Sequence, residues 1–219
     1  MAILNIIFRN LTADELILTK SENNAISEIR AGRPEYIRCF LWHPNFVYVK
    51  LFGDSRTARL KVDVMDEVIV DIETSEWIFA FPMKIDNDNQ MFVTNHDIYH
   101  QLDIDSGTYY VVVHAKKLTS EEIESDPELM GVYCEVGMPL DVEIPYEYRI
   151  LFCRSNHLKE PKIFRVSDSL RKIQAILRER GRPQDLENIN FYDEIYVLNS
   201  DYEPVLLEDS KYEFLDEVD

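Results

Sequence analysis

Period-two alternation over residues 61–72 constrains the fold more than any other feature of this chain. In KVDVMDEVIVDI, Val62, Val64, Val68, Val70 and Ile72 are apolar, whereas Asp63, Glu67 and Asp71 are acidic. Successive side chains of a strand point to opposite faces, so this text predicts a half-buried strand, bent near Met65-Asp66. Shorter runs of the same kind surround it. ILNIIFR at 3–9 and ELILT at 15–19 flank the turn-like NLTAD. YIRCFLW at 36–42 and the run at 46–52 are separated by His43, Pro44 and Asn45. WIFAFPMKI at 77–85, QMFVTN, HQLDID and TYYVVVHAKKL follow, parted by Asp86-Asn87-Asp88-Asn89 and Asp105-Ser106-Gly107. Pro82 has no N–H to give a ladder and suggests an edge or a bulge. Strands at this spacing, without a strongly amphipathic helix, indicate an all-β sandwich over residues 1–142. Trp42 and Trp77 are expected in its core.

The text changes after that. TSEEIESDPELM at 119–130 reads as a loop or one short helix, with capping-box character at Thr119 to Glu122. Residues 133–136 read as a last strand, and the Pro-rich stretch at 138–146 as a domain boundary. YRILFCRS (148–155) and KIFRV (162–166) then read as a β-hairpin. Ser167 or Asp168 caps a helix whose apolar face is Leu170, Ile173, Ile176 and Leu177. Gly181 and Pro183 end it. EIYVLN, PVLLED and YEFLDEV supply further strands. The order β-β-α-β-β suggests a small α+β β-grasp domain over 147–219.

Charge restricts the partners. The 219 residues carry a net charge of −18, unevenly placed. Residues 63–105 are at −10, 149–182 at +7 and 185–219 at −11. Such a surface repels duplex DNA and attracts basic proteins, so a basic protein partner is expected and direct nucleic-acid binding is not. The simpler account of the acid is solubility. No apolar run reaches the ~18 residues of a membrane span, and MAILNIIFRN lacks the marks of a signal peptide. Three cysteines, Cys39, Cys134 and Cys153, without close spacing suit a reducing, cytoplasmic setting and buried structural thiols in strands.

Two stretches resemble known families. FVYVKLF, FAFPMKI, MFVTN and LDIDSGTYYVVV, within Phe46–Leu118, resemble the competence protein J family of nuclease inhibitors, some of which act as immunity proteins. That resemblance implies an acidic β-sandwich that binds and blocks a DNA-degrading nuclease. Lys162 to Leu170, the helix to Gly181, Arg182-Pro183-Gln184-Asp185 and EIYVLNSDYEPVLLED are similar to the ubiquitin superfamily. It implies a ubiquitin-like β-grasp. A conjugated modifier carries a terminal Gly, and no Gly follows Gly181, so docking is expected rather than conjugation.

Each catalytic constellation in the chain has a plainer reading. His96 and His100 have the i, i+4 spacing of a helical zinc site, but Asp97 replaces the Glu of His-Glu-x-x-His and the flanks suit a turn between strands. The starts of calcium loops at Asp86 and Asp103 lack the sixth-position Gly and twelfth-position Glu. No Gly-x-Ser-x-Gly elbow and no phosphate-cradling glycine loop is present. Arg171, Lys172, Arg178 and Arg180 form either a solvated helix face or partners for the acid that follows them.

The reading is therefore a protein that binds and does not catalyse, without metal or cofactor. An inhibitor or immunity-type protein acting on a basic partner such as a nuclease comes first. A ubiquitin-like modifier or adaptor with a β-sandwich recognition domain is the alternative, and a metal-dependent hydrolase the second alternative. Partner-binding candidates are Asp63, Glu67, Asp71, Glu73, Glu76, Asp103, Tyr192 and Tyr196.

Overall fold

The computed structural model describes residues 2–9, 15–20, 40–50, 57–66, 72–86, 90–94, 99–136, 146–155, 160–180, 193–198 and 204–207. The strands in chain order begin with β1 (Ala2–Arg9), β2 (Glu15–Thr19), β3 (Phe40–His43), β4 (Phe46–Lys50), β5 (Thr57–Met65), β6 (Ser75–Ile85) and β7 (Met91–Thr94). They continue with β8 (Tyr99–Leu102), β9 (Gly107–Lys117), β10 (Tyr146–Arg154), β11 (Lys162–Val166), β12 (Tyr196–Leu198) and β13 (Pro204–Leu206). The helices are α1 (Ser120–Glu124), α2 (Pro127–Val136) and α3 (Asp168–Arg180).

These strands form two mixed sheets, ordered β1-β5-β10-β9-β6-β11 and β13-β12-β3-β4-β2-β7-β8. Alternate residues of each turn inward and meet in one core. Leu60 and Val62 of β5, Phe79 and Phe81 of β6, and Ile150 and Phe152 of β10 pack with Leu16, Leu18, Phe40 and Val47 of the facing sheet. Trp42 and Trp77 lie in that core as expected. The Trp42 indole donates to the Pro82 carbonyl at 3.1 Å and ties the two layers together. Full burial of such side chains contributes about 1.5–3 kcal/mol each. Pro82 is in an interior strand. β11 pairs with β6 only over Trp77–Ala80, so the proline falls where that flank is open among the described residues.

The division into a sandwich and a β-grasp is corrected by the pairing. β10 and β11 do not pair with each other. β10 runs parallel to β5 and antiparallel to β9, in the middle of the six-stranded sheet. β11 lies at that sheet's edge, on β6. β12 pairs in parallel with β3 of the other sheet. The hairpin on which a ubiquitin-like unit over 147–219 would be built is therefore not formed. Local text around 148–166 suited a hairpin, but the neighbours that bury β10 come from residues far away in sequence.

The helices depart in two places. Residues 133–136 end α2, not a strand. Asp126 starts that helix, its Oδ1 accepting from the N–H groups of Glu128 and Leu129 at 3.1 Å, with Pro127 in the first turn. Thr119 and Glu122 form the expected capping box on α1. In α3, Ser167 Oγ accepts from Leu170 N at 3.3 Å. The buried face holds Gln174, with Leu170 half-buried beside it, and Ile176 is 48% exposed. The expected apolar stripe through Ile176 thus turns partly to solvent. No helix among the described residues is long and apolar enough to cross a membrane.

Candidate docking surface

The outward face of the six-stranded sheet carries a band of paired charge. Arg59, Lys61 and Asp63 alternate with the inward Leu60 and Val62. Parallel register sets Glu147 level with Arg59 and Arg149 level with Lys61. On the far side of β10, Lys116 is level with Glu147 and His114 with Arg149. Glu147 Oε2 accepts from Arg59 Nε at 2.6 Å and lies 3.1 Å from Lys61 Nζ. Arg59 Nη1 also reaches Asp126 Oδ2 at 2.7 Å. Arg149 Nε donates to Asp63 Oδ2 at 2.8 Å, and Lys116 Nζ to Glu122 Oε1 at 2.5 Å.

Electrostatics follow from this geometry. Burial pushes the Glu147 carboxyl up, but the charges of Arg59 and Lys61 and their hydrogen bonds outweigh it and hold the carboxyl below the ordinary range. Asp126 and Glu122 are also held low. There burial is outweighed by the backbone N–H groups that cap the helices together with Arg59 and Lys116.

Ser75 Oγ lies 3.3 Å from His114 Nδ1, the contact a nucleophile and its base would make. Both residues are buried, at 1% and 5% exposed, so a substrate would have no access to the hydroxyl. His100 stands on strand β8, where i and i+4 residues do not converge, and His96 lies outside the described residues. Among the described residues no group of three or more His, Cys, Asp or Glu is placed to hold a metal ion. Asp86 faces Lys84 at 3.6 Å, and Asp105 faces Arg154 at 3.0 Å. Cys153 is buried, which pushes its thiol up. It is on a strand, whereas Cys134 is on α2 and Cys39 lies outside the described residues.

The expected partner-binding residues do not make one face. Asp63 does point away from Val62, yet it is only 5% exposed and bound to Arg149, so it is not a solvated carboxylate. Glu76 is occupied by the start of α3: its Oε2 accepts from Ser167 Oγ and from Ser169 Oγ at 3.0 Å. Glu73 is exposed in the turn 72–74, whose backbone is clamped by Arg165 through the carbonyls of Glu73 at 3.2 Å and Ser75 at 2.6 Å. Asp103 is exposed after β8, at the opposite end of the sandwich from that turn. Tyr196 is buried in β12 and donates its hydroxyl to Glu194 at 2.7 Å. Glu67, Asp71 and Tyr192 lie outside the described residues.

The structure instead presents acid on α1 and α2. Ile123 and Leu129 turn inward with Leu118, against Ile7, and leave Glu121, Glu124 and Glu128 exposed. Register of Ser75 with Lys116 brings the turn bearing Glu73 to the same end. The signal was the acid density of TSEEIESDPELM, interrupted only by the apolar Ile123, Leu129 and Met130.

No family model matches the chain, and no curated protein does. The crystal structure of ComJ, inhibitor of the DNA degrading activity of NucA, from Bacillus subtilis, is similar at 8% identity. The likeness covers 71% of this chain and 98% of that one, with a TM-score of 0.41.

Proposed function

We propose that the protein acts by binding: its acidic surface takes up a basic protein partner, such as a nuclease, and blocks it without catalysing a reaction. The observation that carries this reading is how the charges are divided. Arg59, Lys61 and Arg149 are held by carboxylates of the sheet and Lys116 by Glu122 of α1, while Glu121, Glu124 and Glu128 stand exposed at one end. The negative field of a chain at net −18 is thus left open there. Such a field speeds encounter with a basic surface and disfavours acidic ones. A cytoplasmic setting fits the buried Cys153 thiol.

Capture from the host at low salt, followed by association kinetics with the captured protein, tests this. Reversing Glu121, Glu124 and Glu128 to Lys should slow association about tenfold or more at low salt. The effect should fade at 1 M salt, where the Debye length falls to about 3 Å from about 10 Å at 0.1 M. Unchanged rate and salt dependence would leave the acid as a solubility feature only.

A further inference from the structure

Helices α1 and α2 rest on the sheet with little apolar hold. Of their described side chains, Ile123 and Leu129 are buried. They meet Leu118 in a cluster separate from the main core, with Ile7 and Met130 half-buried beside it. The rest of the hold is ionic. Lys116 is level with Glu147, and Glu147 with Arg59, so β9, β10 and β5 carry a row of cation, anion, cation. Each outer cation reaches one helix. Lys116 Nζ lies 2.5 Å from Glu122 Oε1, and Arg59 Nη1 lies 2.7 Å from Asp126 Oδ2. Glu147 takes the other edge of the Arg59 guanidinium, with Nε and Nη2 both at 2.6 Å, and so aims Nη1 at Asp126.

Both helix carboxylates do two jobs. Glu122 closes the capping box of α1, and Asp126 caps α2 through the N–H groups of Glu128 and Leu129. The Asp126 N–H also donates to the Ile123 carbonyl at 3.2 Å, so the end of α1 and the start of α2 meet at one residue. A change at either ion pair therefore reaches both helices. We propose that α1 and α2 form a single acidic lid, closed on the sheet by two arms, Lys116–Glu122 and Arg59–Asp126, and that it opens as one unit while the sheets stay folded. Closed, the lid presents Glu121, Glu124 and Glu128. Open, it gives up that face and bares Lys116 and Arg59, which reverses the local charge. The closed lid is the form a basic partner reads, a consequence that rests on the inhibitor reading.

Hydrogen exchange on the full chain, with no partner present, tests the lid by itself. The reporters are the amides of Ile123, Ser125 and Met130, which donate to the carbonyls of Thr119, Glu121 and Asp126. They should exchange at least tenfold faster than the amides of β9 and β10. Lys116→Met removes one arm from the sheet side. Asp126→Asn keeps a capping side chain and drops the charge of the other arm. Either change should speed all three reporters about tenfold, the scale of one lost hydrogen bond between charged groups, and leave β9 and β10 unaltered. Glu122→Gln added to Lys116→Met should go no further, because both act on one arm. Reporters that exchange no faster than β9 and β10 would overturn local opening. Reporters that ignore both variants would overturn the arms. Lys116→Met acting on Ile123 and Ser125 alone, or Asp126→Asn on Met130 alone, would overturn the single unit. A basic partner captured from the host should slow all three reporters further. A bound partner that leaves them unchanged would overturn the lid's part in docking, whereas failure to capture any basic partner would count against the inhibitor reading and not against the lid.

Discussion

Removing the charge of Glu147 would leave Arg59 and Lys61 facing a neutral side chain in a place where only 6% of the Glu147 side chain meets solvent. Breaking a buried pair from one side costs about 3–5 kcal/mol, and because Arg59 keeps Asp126 while Lys61 loses its counter-charge, the low end of about 3 kcal/mol applies. Glu147→Gln should therefore lower stability by about that amount at pH 7, read by urea titration. The pH dependence has a fixed sign. The folded carboxyl lies below its unfolded value of about 4.3, so its contribution is complete above that pH and is lost as pH falls through the folded value. The melting temperature of the unsubstituted chain should drop steeply below about pH 4, and Glu147→Gln should flatten part of that slope. Asp63→Lys sets a cation against Arg149. It should destabilise by about 2 kcal/mol, since Arg149 is partly exposed and the repulsion is screened. A neutral outcome in a thermal melt would mean that Asp63 is solvated after all.

At the scale of elements, α3 contains a defect that can be corrected. Gln174 is 2% exposed, and neither atom of its amide finds a hydrogen-bond partner among the described residues. An unsatisfied buried amide costs about 1–3 kcal/mol. Gln174→Leu, of similar size, should raise stability by about 1 kcal/mol in chemical denaturation, whereas Gln174→Ala should not. The element boundaries show what was legible and why. β3, β4, β6, β7, β8 and β9 fall where apolar runs meet Pro44, Asp86, Asp105 and Gly107, because turn chemistry is local. Residues 133–136 looked like a strand because Tyr133 and Val136 favour one. The helix start at Asp126-Pro127-Glu128 lay seven residues earlier and decided the matter. The acidic residues of the candidate site were the least legible. Alternation gave the face on which Asp63 stands, but the Arg149 that binds it is 86 positions away, and no local pattern points to it. Glu76 was lost in the same way to Ser167 and Ser169.

At the scale of the molecule, the two sheets share a core built from both ends of the chain. A fragment covering 146–219 would hold β10 without β5 or β9, and β12 without β3. It should give the circular dichroism and proton spectra of an unfolded chain, and the full chain should melt in one transition. A folded fragment would restore the two-domain reading.

The place of β10 also bears on how the chain is made. On the ribosome, β1 with β5 and β6 with β9 can form as two ribbons, each with one bare edge turned to the gap that β10 fills. At about 5–20 residues per second, roughly 2–7 s separate the emergence of β9 from that of β10. Through that interval the nascent chain displays two unpaired edges flanked by Val111, Val113, Leu60 and Val62, the kind of surface that invites other strands or a chaperone. The last-made interior strand of this sheet is its keystone, and synthesis has to run ahead of aggregation until it arrives.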